Sequence, residues 1–393
     1  MISLFSGAGG LDLGLSRSGF ELAIGVESAK DCRETLAANG LKNLSSSLRV
    51  EDVYWETLLT EANLDVGETA LLAGGPPCQP FSKSGKWVTG ATRGLQDPRA
   101  NTLIHFLTLA ESLLPRVILL ENVKGIANKA DSAAVNFIED ALVKINREAG
   151  TDYRPVSFII NAADYGVPQL RERFFLVAHR DGFEFELPQA THFRPDDSDL
   201  FDQNSFACCW DAIGGMQVPE GEAEAVKPKG KWADLLSSIP EGKNYLWHTE
   251  KGGGEPLFGW RTRYWSFLLK LSKGLPSWTI QASPGPATGP FHWDNRRLSS
   301  AEMAAIQTFP SDYQFAGDFN SRRQQIGNAV PPALGFMLGE ALRKQFFGAA
   351  CEKKANPFLP PARADLPSSA KTSKVPRKYR AEGPAPRSHP GPG

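Results

Sequence analysis

Cys78 lies in a run that can present its thiol as a nucleophile, Gly75-Pro76-Pro77-Cys78-Gln79-Pro80-Phe81-Ser82. The prolines fix φ and the glycine permits a tight backbone, directly after the apolar residues Ala70–Ala73. A buried strand followed by such a turn places a side chain at the edge of an α/β sheet. Near neutral pH a thiolate attacks electron-poor carbon better than other side chains do. A small buried cysteine beside a turn is the alternative interpretation of the thiol alone.

A second group of residues is suited to an adenosyl ligand. The glycine-rich loop Phe5–Leu11 joins an apolar run to a helical pattern, and Glu27 ends the next apolar run. A carboxylate at that place in a doubly wound sheet binds ribose hydroxyls, and we expect Asp52 to meet an adenine amino group. Because the loop lacks the full Gly-x-Gly-x-x-Gly pattern, a ligand smaller than a dinucleotide is favoured.

Glu121 ends the apolar run Val117–Leu120. The carboxyl ends of parallel strands share one edge of a sheet, so Glu121, Cys78 and the glycine loop are expected to converge. A carboxylic acid in a dry pocket keeps its proton near pH 7 and can donate it to a ring nitrogen. A solvated acid at a strand end is the alternative.

Two arginines share a predicted strand face. In Gln169-Leu170-Arg171-Glu172-Arg173, alternation directs Gln169, Arg171 and Arg173 to the same side. Two guanidiniums there suit a carboxylate, a phosphate or a base carbonyl. A charge run exposed to solvent is the alternative.

The elements that must position these residues alternate in type. Strands are predicted at 2–5, 22–26, 70–73, 117–120, 156–160 and 174–178, and helices at 11–18, 29–39, 101–114, 133–148, 299–307 and 332–347. This alternation predicts an α/β fold with a largely parallel, doubly wound sheet. From about residue 180 the pattern dissolves into Pro, Gly, Asp and Trp.

Composition is that of a globular protein, with 41% hydrophobic and 22% charged residues in a chain of 393. At this length two lobes are expected. No apolar run is long enough for a membrane span, and no secretory signal is visible, so a cytoplasmic protein is expected. The five cysteines are spaced for neither a disulfide framework nor a zinc site, so no metal is expected. The net charge of −1 conceals a basic excess over 225–290 and after 351.

The order FSGAGG, Glu27, Asp52, PPCQPFS, ENV, QLRER and QIGNAVPP resembles the DNA cytosine-5 methyltransferases. The resemblance covers residues 2 to about 180 and about 290 to 345. It implies a Rossmann-like, S-adenosylmethionine-dependent domain into which a smaller, irregular target-recognition domain is inserted. The implied layout is a catalytic and cofactor-binding domain at 1–180, target recognition at 181–290, a return to the catalytic domain at 291–350, and a disordered basic, Pro-rich tail at 351–393.

The resemblance also implies roles. Cys78 attacks carbon 6 of a flipped-out cytosine, Glu121 protonates nitrogen 3, and Arg171 and Arg173 orient the acid and the base. Ser3 and Ser28 depart from the family pattern, where an acid and an aromatic residue are common. The implied cofactor pocket comprises Phe5, Gly7, Ala8, Gly9, Gly10, Glu27, Asp52, Pro77, Leu103 and Asn328.

DNA contacts are expected from two segments. In Pro256–Trp265 aromatic and basic residues interleave, and Arg261 and Arg263 suit phosphate or guanine. A Trp-rich core with a basic rim is the alternative for the aromatic residues. By resemblance Gln79, Ser82 and Thr279 face the DNA as well.

The expected partner is double-stranded DNA, bound by a monomer associated with a bacterial nucleoid and paired in function with a cognate restriction endonuclease. Three alternatives remain at this point: a tRNA cytosine-5 methyltransferase on the same scaffold, a catalytically silent DNA-binding relative, and a dinucleotide oxidoreductase.

Overall fold

The computed structural model of the protein describes residues 1–77, 101–127, 133–194, 204–260, 264–349, 355–363 and 365–380. The candidate residues Cys78, Gln79, Ser82, Arg261 and Arg263 lie outside these ranges. Within them, helices α1 to α9 span Gly10–Ser18, Lys30–Ala38, Trp55–Ala62, Asn101–Leu113, Ala133–Ala149, Cys209–Ile213, Ser300–Ile306, Phe319–Asn328 and Pro332–Phe346. Strands β1 to β10 span Ile2–Leu4, Ile24–Val26, Leu71–Gly74, Val117–Val123, Val156–Asn161, Gln169–Leu170, Glu172–His179, His192–Phe193, Asn204–Ser205 and Ser277–Trp278. None of these helices is long and apolar enough to cross a membrane.

Six strands form one sheet in the order β2-β1-β3-β4-β7-β5. Strand β1 pairs in parallel with β2 and β3, and β3 pairs in parallel with β4. Strand β7 runs antiparallel to both β4 and β5. The predicted α/β fold class is confirmed, and each of the six predicted strands belongs to this sheet. The carboxyl ends of β1 to β4 therefore share one edge.

Helices cover both faces of the sheet, because strand residues alternate between two cores. Ile118 and Leu120 pack in one core with α3, α4 and α5. Their neighbours Val117 and Leu119 pack in the other with α1 and α9. The run of apolar residues in β4 is thus buried on both sides, as a central strand of such a sheet requires.

Helices α1 and α9 approach each other closely at Gly14. A Cβ on Gly14 would lie 2.3 Å from the carbonyl oxygen of Pro332 and 2.5 Å from the amide nitrogen of Phe336. No side chain fits between the two backbones at this point. The close contact joins the first helix of the chain to α9, which begins after residue 330.

We expect Gly14→Ala to lower the free energy of unfolding by about 2 kcal/mol, because backbone clashes of this kind outweigh the better helix propensity of alanine. Urea unfolding followed by circular dichroism measures the change. Gly221→Ala is the matched control, since nothing lies within 4 Å of its added Cβ, and we expect it within about 0.5 kcal/mol of wild type. Equal stability of the two variants would contradict the close approach.

The region between β7 and α7 has a core of its own. Apart from short strands and α6, it consists mainly of turns and short 3-10 segments. Its interior is aromatic, with Trp232, Tyr245, Phe258 and Phe267 packed edge to face. The loss of regular pattern from about residue 180 was predicted, and the compact aromatic core explains how the region folds without long elements.

Helix α8 was not predicted as a helix. Among its residues only Gln325, Ile326 and Gly327 are buried, so it lacks an apolar stripe. Its start is fixed by Asp318, whose side chain accepts a hydrogen bond from the Ser321 amide at 2.8 Å. The predicted final helix does begin at Pro332, with proline at the first helical position.

The prediction of a disordered tail over 351–393 is wrong for residues 355–363 and 365–380. Asn356 donates to the Ala333 carbonyl in α9, and Arg363 donates to the Gly214 carbonyl after α6. Further on, Val375 and Tyr379 are buried in the aromatic core of the region between β7 and α7. Few but well-placed apolar residues thus order a segment whose composition is that of a linker.

Tyr379 is the main anchor of this tail. Its ring stacks on Trp232 at 5.4 Å, and its hydroxyl donates to the Lys231 carbonyl at 2.7 Å. We expect Tyr379→Ala to lower the free energy of unfolding by about 3 kcal/mol, measured by urea unfolding followed by tryptophan fluorescence. Lys378→Ala, which removes an exposed ion pair with Asp234, should cost less than about 1 kcal/mol. A Tyr379→Ala variant no less stable than Lys378→Ala would show that the tail contributes little.

Candidate active site

A cavity of about 900 Å³ opens at the carboxyl edge formed by β1 to β4. The ends of all four strands contribute to its walls, as the sequence predicted from their parallel order. The expected cofactor residues that line it are Phe5, Gly7, Ala8, Gly10, Glu27, Pro77 and Asn328.

The glycine loop forms one wall of the cavity. Phe5 and Gly7 have φ values of 60° and 55°. A Cβ on Gly7 would meet only the Phe5 carbonyl at 4.0 Å, so its surface is open. A Cβ on Gly10 would lie 2.2 Å from the Val330 carbonyl. Gly7 is thus open to a ligand, whereas Gly10 serves packing against the segment before α9.

Glu27 is bound to the same loop. Its two carboxylate oxygens accept hydrogen bonds from the amides of Gly7 and Ala29, each at 2.7 Å. These bonds fix the carboxylate on the cavity wall. Each oxygen keeps lone-pair capacity for a hydroxyl donor.

Three expected cofactor residues do not line the cavity. Asp52 is exposed, and Val50 and Glu51 line the wall instead. Leu103 is buried in the core, and its neighbour Thr102 lines the wall. A Cβ on Gly9 would lie 2.6 Å from the Leu36 side chain, so this glycine faces α2 rather than the cavity.

Glu121 lines the cavity and lies against Gly75. A Cβ on Gly75 would lie 2.7 Å from Glu121 Oε2. Glu121 Oε1 is 3.1 Å from Arg173 Nε, and both side chains are 13% exposed. Burial raises the pKa of the Glu121 carboxyl above its usual value, and the charges of Arg173 and then Arg171 oppose the rise. The site therefore favours an acid that can hold a proton.

Arg171 lies near the Glu121–Arg173 pair and is fully buried. Its Nη2 donates to the carbonyls of Gly327 and Ala329, at 2.9 and 2.7 Å. Its Nε and Nη1 find no hydrogen-bond partner among the described residues. Burial lowers the pKa of Arg171 well below its usual value. The guanidinium thus ties the end of α8 to the site.

Side chains that were not assigned a role hold the segment before Cys78. Asn122 Nδ2 donates to the Pro76 carbonyl at 3.1 Å, and Thr102 Oγ1 donates to the Pro77 carbonyl at 3.3 Å. Asn122 was visible in the sequence only as the residue after Glu121. Its amide fixes the last described turn before the thiol.

Thr279 is bonded to the strand that precedes Arg171. Strand β10 pairs in parallel with β6, and the Thr279 hydroxyl donates to the Leu170 carbonyl at 2.7 Å. The amide of Ile280 donates to the side chain of Gln169. The segment expected to face DNA is therefore attached directly to the strand that leads to Arg171.

Asp12 is a cavity residue that the sequence reasoning missed. It is 1% exposed, and its Oδ1 accepts a hydrogen bond from Ser3 Oγ at 2.6 Å. Burial raises its pKa to about 6. An acid inside the helix that follows a glycine loop was the available signal. No cluster of side chains suited to a metal ion occurs in the part of the chain that the structure describes.

The sequence model of the family described as C-5 cytosine-specific DNA methylase matches residues 1–344. The Type II methyltransferase M.SacI of Streptomyces achromogenes is 38% identical over 371 residues, 88% of this chain and 93% of that protein. The Type II methyltransferase M.NgoFVII of Neisseria gonorrhoeae is 31% identical over 338 residues, 84% of this chain and 83% of that protein.

Solved structures show a similar fold. A putative DNA modification methyltransferase encoded within a prophage of E. coli has a TM-score of 0.61 at 21% identity, covering 88% of this chain and 99% of that chain. The DNMT2 of Spodoptera frugiperda has a TM-score of 0.58 at 17% identity, covering 88% and 98%.

Proposed function

Because the chain belongs to the C-5 cytosine-specific DNA methylase family, we propose that it methylates carbon 5 of a flipped-out cytosine in duplex DNA through a covalent adduct with Cys78. It is a DNA cytosine-5 methyltransferase whose methyl donor is S-adenosylmethionine. The observation that carries the covalent proposal is the position of Glu121, which is buried, paired with Arg173, and in contact with Gly75 in the run that leads to Cys78.

The cavity suits this cofactor. Its volume of about 900 Å³ accommodates an adenosyl ligand beside a base. We assign Glu27 to the ribose hydroxyls, and Gly7 and Asn328 to the methionyl side. The adenine side of the cofactor is assigned to Val50, Glu51 and Thr102, because these residues line the cavity. Asp52 and Leu103, which the sequence suggested for this role, do not line it. Bound there, S-adenosylmethionine supplies an electrophilic methyl group.

The protein's own groups make the cytosine reactive. The Cys78 thiolate forms a bond to carbon 6 while Glu121 gives its proton to nitrogen 3, so no negative charge accumulates in the ring. Carbon 5 then becomes nucleophilic and takes the methyl group. A base then removes the carbon-5 proton, the Glu121 carboxylate takes its proton back from nitrogen 3, and the bond between sulfur and carbon 6 breaks, which restores the thiolate and the aromatic ring.

Arg171 and Arg173 hold the acid in place for this step. Arg173 binds one oxygen of Glu121 and leaves the other oxygen facing Gly75. Arg171 is held by two carbonyls at the end of α8, and its remaining N–H groups suit the oxygen of a bound base.

Recognition of the DNA sequence is proposed for residues 181–290, with 1–180 and 291–350 forming the catalytic domain. Trp260, Trp265 and Trp278 are exposed large aromatic side chains in this region. Lys251 lies 5.2 Å from the ring of Trp260. With Arg261, Arg263, Gln79, Ser82 and Thr279 they form the proposed DNA-facing surface, where cations meet phosphates and flat rings stack. Contacts of this kind offset the few kcal/mol that flipping a base costs.

We further propose that the protein acts as a monomer on a bacterial chromosome in the cytoplasm, at the nucleoid. Its relatives named Type II methyltransferases support a functional pairing with a restriction endonuclease that cuts the same sequence. A methyl group in the major groove then marks the host DNA.

Base-resolution mapping of 5-methylcytosine in a methylation-free bacterial host that expresses the chain tests the proposed function. Modification at one short recurring sequence is expected. Modification of tRNA with unmodified DNA would favour the tRNA alternative. Normal DNA affinity without methyl transfer would favour the silent binder, and preferential binding of a nicotinamide dinucleotide would favour the oxidoreductase.

A further inference from the structure

Asp12 is a buried acid that the mechanism above does not use. It lies in the first turn of α1 and belongs to the wall of the cofactor cavity. Its Oδ1 is bonded to Ser3, whereas its Oδ2 is buried and has no hydrogen-bond partner among the described residues. A buried carboxylate oxygen without a partner is costly for a protein to maintain, which points to a ligand that compensates it.

The groups around Asp12 do not neutralise it. Facing it are the hydroxyls of Ser3 and Ser6, the carboxylate of Glu27 and the phenol of Tyr313. Tyr313 donates its own hydrogen to the Ala8 carbonyl at 2.6 Å. Burial raises the pKa of Asp12 to about 6; the hydroxyls of Ser3 and Ser6 oppose the rise, and the charge of Glu27 adds to it. At neutral pH the folded protein therefore holds a buried negative charge in the first turn of α1, and no cation among the described residues pairs with it.

The cations on the described cavity lining are already paired. They are Lys30 with Glu34 at 3.7 Å, Arg49 with Glu51 at 3.7 Å, and Arg173 with Glu121 at 3.1 Å. The charge of Asp12 is thus left for a cation that enters with the ligand.

We propose that Asp12 supplies the counter-charge for the ammonium group of the methionyl part of S-adenosylmethionine. The inference rests on the cofactor occupying the cavity as proposed above. S-adenosylmethionine carries two cationic centres, a sulfonium and an ammonium. Ribose hydroxyls are neutral donors, and Glu27 is the acid assigned to them. Asp12 lies in the first turn of the helix that follows the glycine loop, and it lines the same cavity as Gly7, the open glycine assigned to the methionyl side.

Binding of S-adenosylmethionine and two of its analogues distinguishes a contact of Asp12 with the ammonium group from one with the sulfonium or from a purely structural role. S-adenosylhomocysteine keeps the ammonium and lacks the sulfonium, while 5′-methylthioadenosine lacks both. For Asp12→Asn, which preserves size and the acceptor for Ser3, we expect roughly tenfold weaker calorimetric binding of S-adenosylmethionine and of S-adenosylhomocysteine. Binding of 5′-methylthioadenosine should stay within about twofold of wild type.

The pH dependence has a defined sign. Deprotonation of Asp12 creates the counter-charge, so wild-type affinity for S-adenosylhomocysteine should rise as pH increases through about 6. In Asp12→Asn this rise should be lost. The unliganded variant should melt at or above the wild-type temperature at pH 7.5, because a buried charge without a cationic partner is gone. If the Ser3–Asp12 contact had a purely structural role, Asp12→Asn would instead have a lower melting temperature and would bind all three ligands more weakly by similar factors.

Asp31→Asn is the matched control, since this cavity acid is already satisfied by the Ser321 hydroxyl at 2.5 Å. Equal losses in both variants would overturn the assignment to Asp12, because total cavity charge would explain them. If Asp12→Asn weakened the binding of S-adenosylmethionine alone, the assignment to the ammonium group would be overturned in favour of the sulfonium. Failure of the wild-type protein to bind any of the three would overturn the cofactor site itself.

Discussion

Cys78→Ser is expected to lower methyl transfer roughly a thousandfold or more, while the dissociation constant for S-adenosylhomocysteine stays within about threefold of wild type. The serine hydroxyl is a poor nucleophile at neutral pH, whereas a thiol is partly ionised. Single-turnover transfer of labelled methyl groups to duplex DNA measures the rate. An oligonucleotide with 5-fluorocytosine at the target measures the adduct. Its carbon 5 carries fluorine in place of the proton that a base removes, so elimination is blocked and the sulfur–carbon bond persists.

Cys32 offers a control for this experiment. It also lines the cavity, but burial and the neighbouring charges of Glu27 and Asp31 raise its pKa to about 12. It therefore stays a neutral thiol near pH 8. Cys32→Ser should still form the denaturation-resistant adduct and Cys78→Ser should not. An adduct in Cys78→Ser would rule out this thiol as the nucleophile.

Glu121→Gln is expected to lower kcat by roughly 10²- to 10⁴-fold, because glutamine keeps the shape of the acid but cannot give a proton to nitrogen 3. Burial raises the pKa of Glu121, so the protonated form persists to higher pH than for an exposed glutamate. The wild-type rate should fall as pH rises through that pKa, and the variant should lack this limb. Steady-state rates from pH 5 to 9 measure both effects.

Glu172→Gln is the control for the acid. Glu172 precedes Arg173 on β7 but is exposed and pairs with Lys124 at 2.7 Å. Its variant should keep kcat within about twofold of wild type. A pH limb that survives in Glu121→Gln would place the proton donor on another group.

The sheet and the convergence of the site were predictable because each depends on a strong local signal. Apolar runs ended by glycine or an acid identify the strands, and parallel order brings their ends to one edge. That reasoning predicted that the glycine loop, Glu27 and Glu121 share a cavity. The residue types alone indicate acid, base and nucleophile chemistry at that edge.

The face that a residue presents was harder to predict where the backbone is irregular. Val50–Asp52 is a 3-10 turn, and it directs Glu51 rather than Asp52 to the cavity. At the start of α4, Thr102 rather than Leu103 lines the wall. A motif locates such a segment, but its rotation depends on tertiary packing that a sequence pattern does not contain.

Asp12 and Tyr379 were missed for a different reason. Each is a single side chain whose role the average composition of its segment does not reveal. The pattern around Asp12 predicts a helix but not a buried acid on the cavity wall, and the composition around Tyr379 predicts a linker rather than a buried anchor. Tyr379 is ordered by stacking on Trp232, 147 positions away in the chain. Contacts at that separation leave no periodicity to detect.

The close packing of α1 against α9 also has a consequence for biosynthesis. Gly14 is translated long before Pro332, which it contacts. At about 5–20 residues per second the ribosome needs roughly 15–60 seconds to make the intervening chain. Until α9 is made, one apolar face of the sheet, including Val117 and Leu119, lacks one of the two helices that cover it. The catalytic core is therefore completed only after α9 has been made, and chaperones that shield the exposed apolar surface until then should raise the yield of active enzyme.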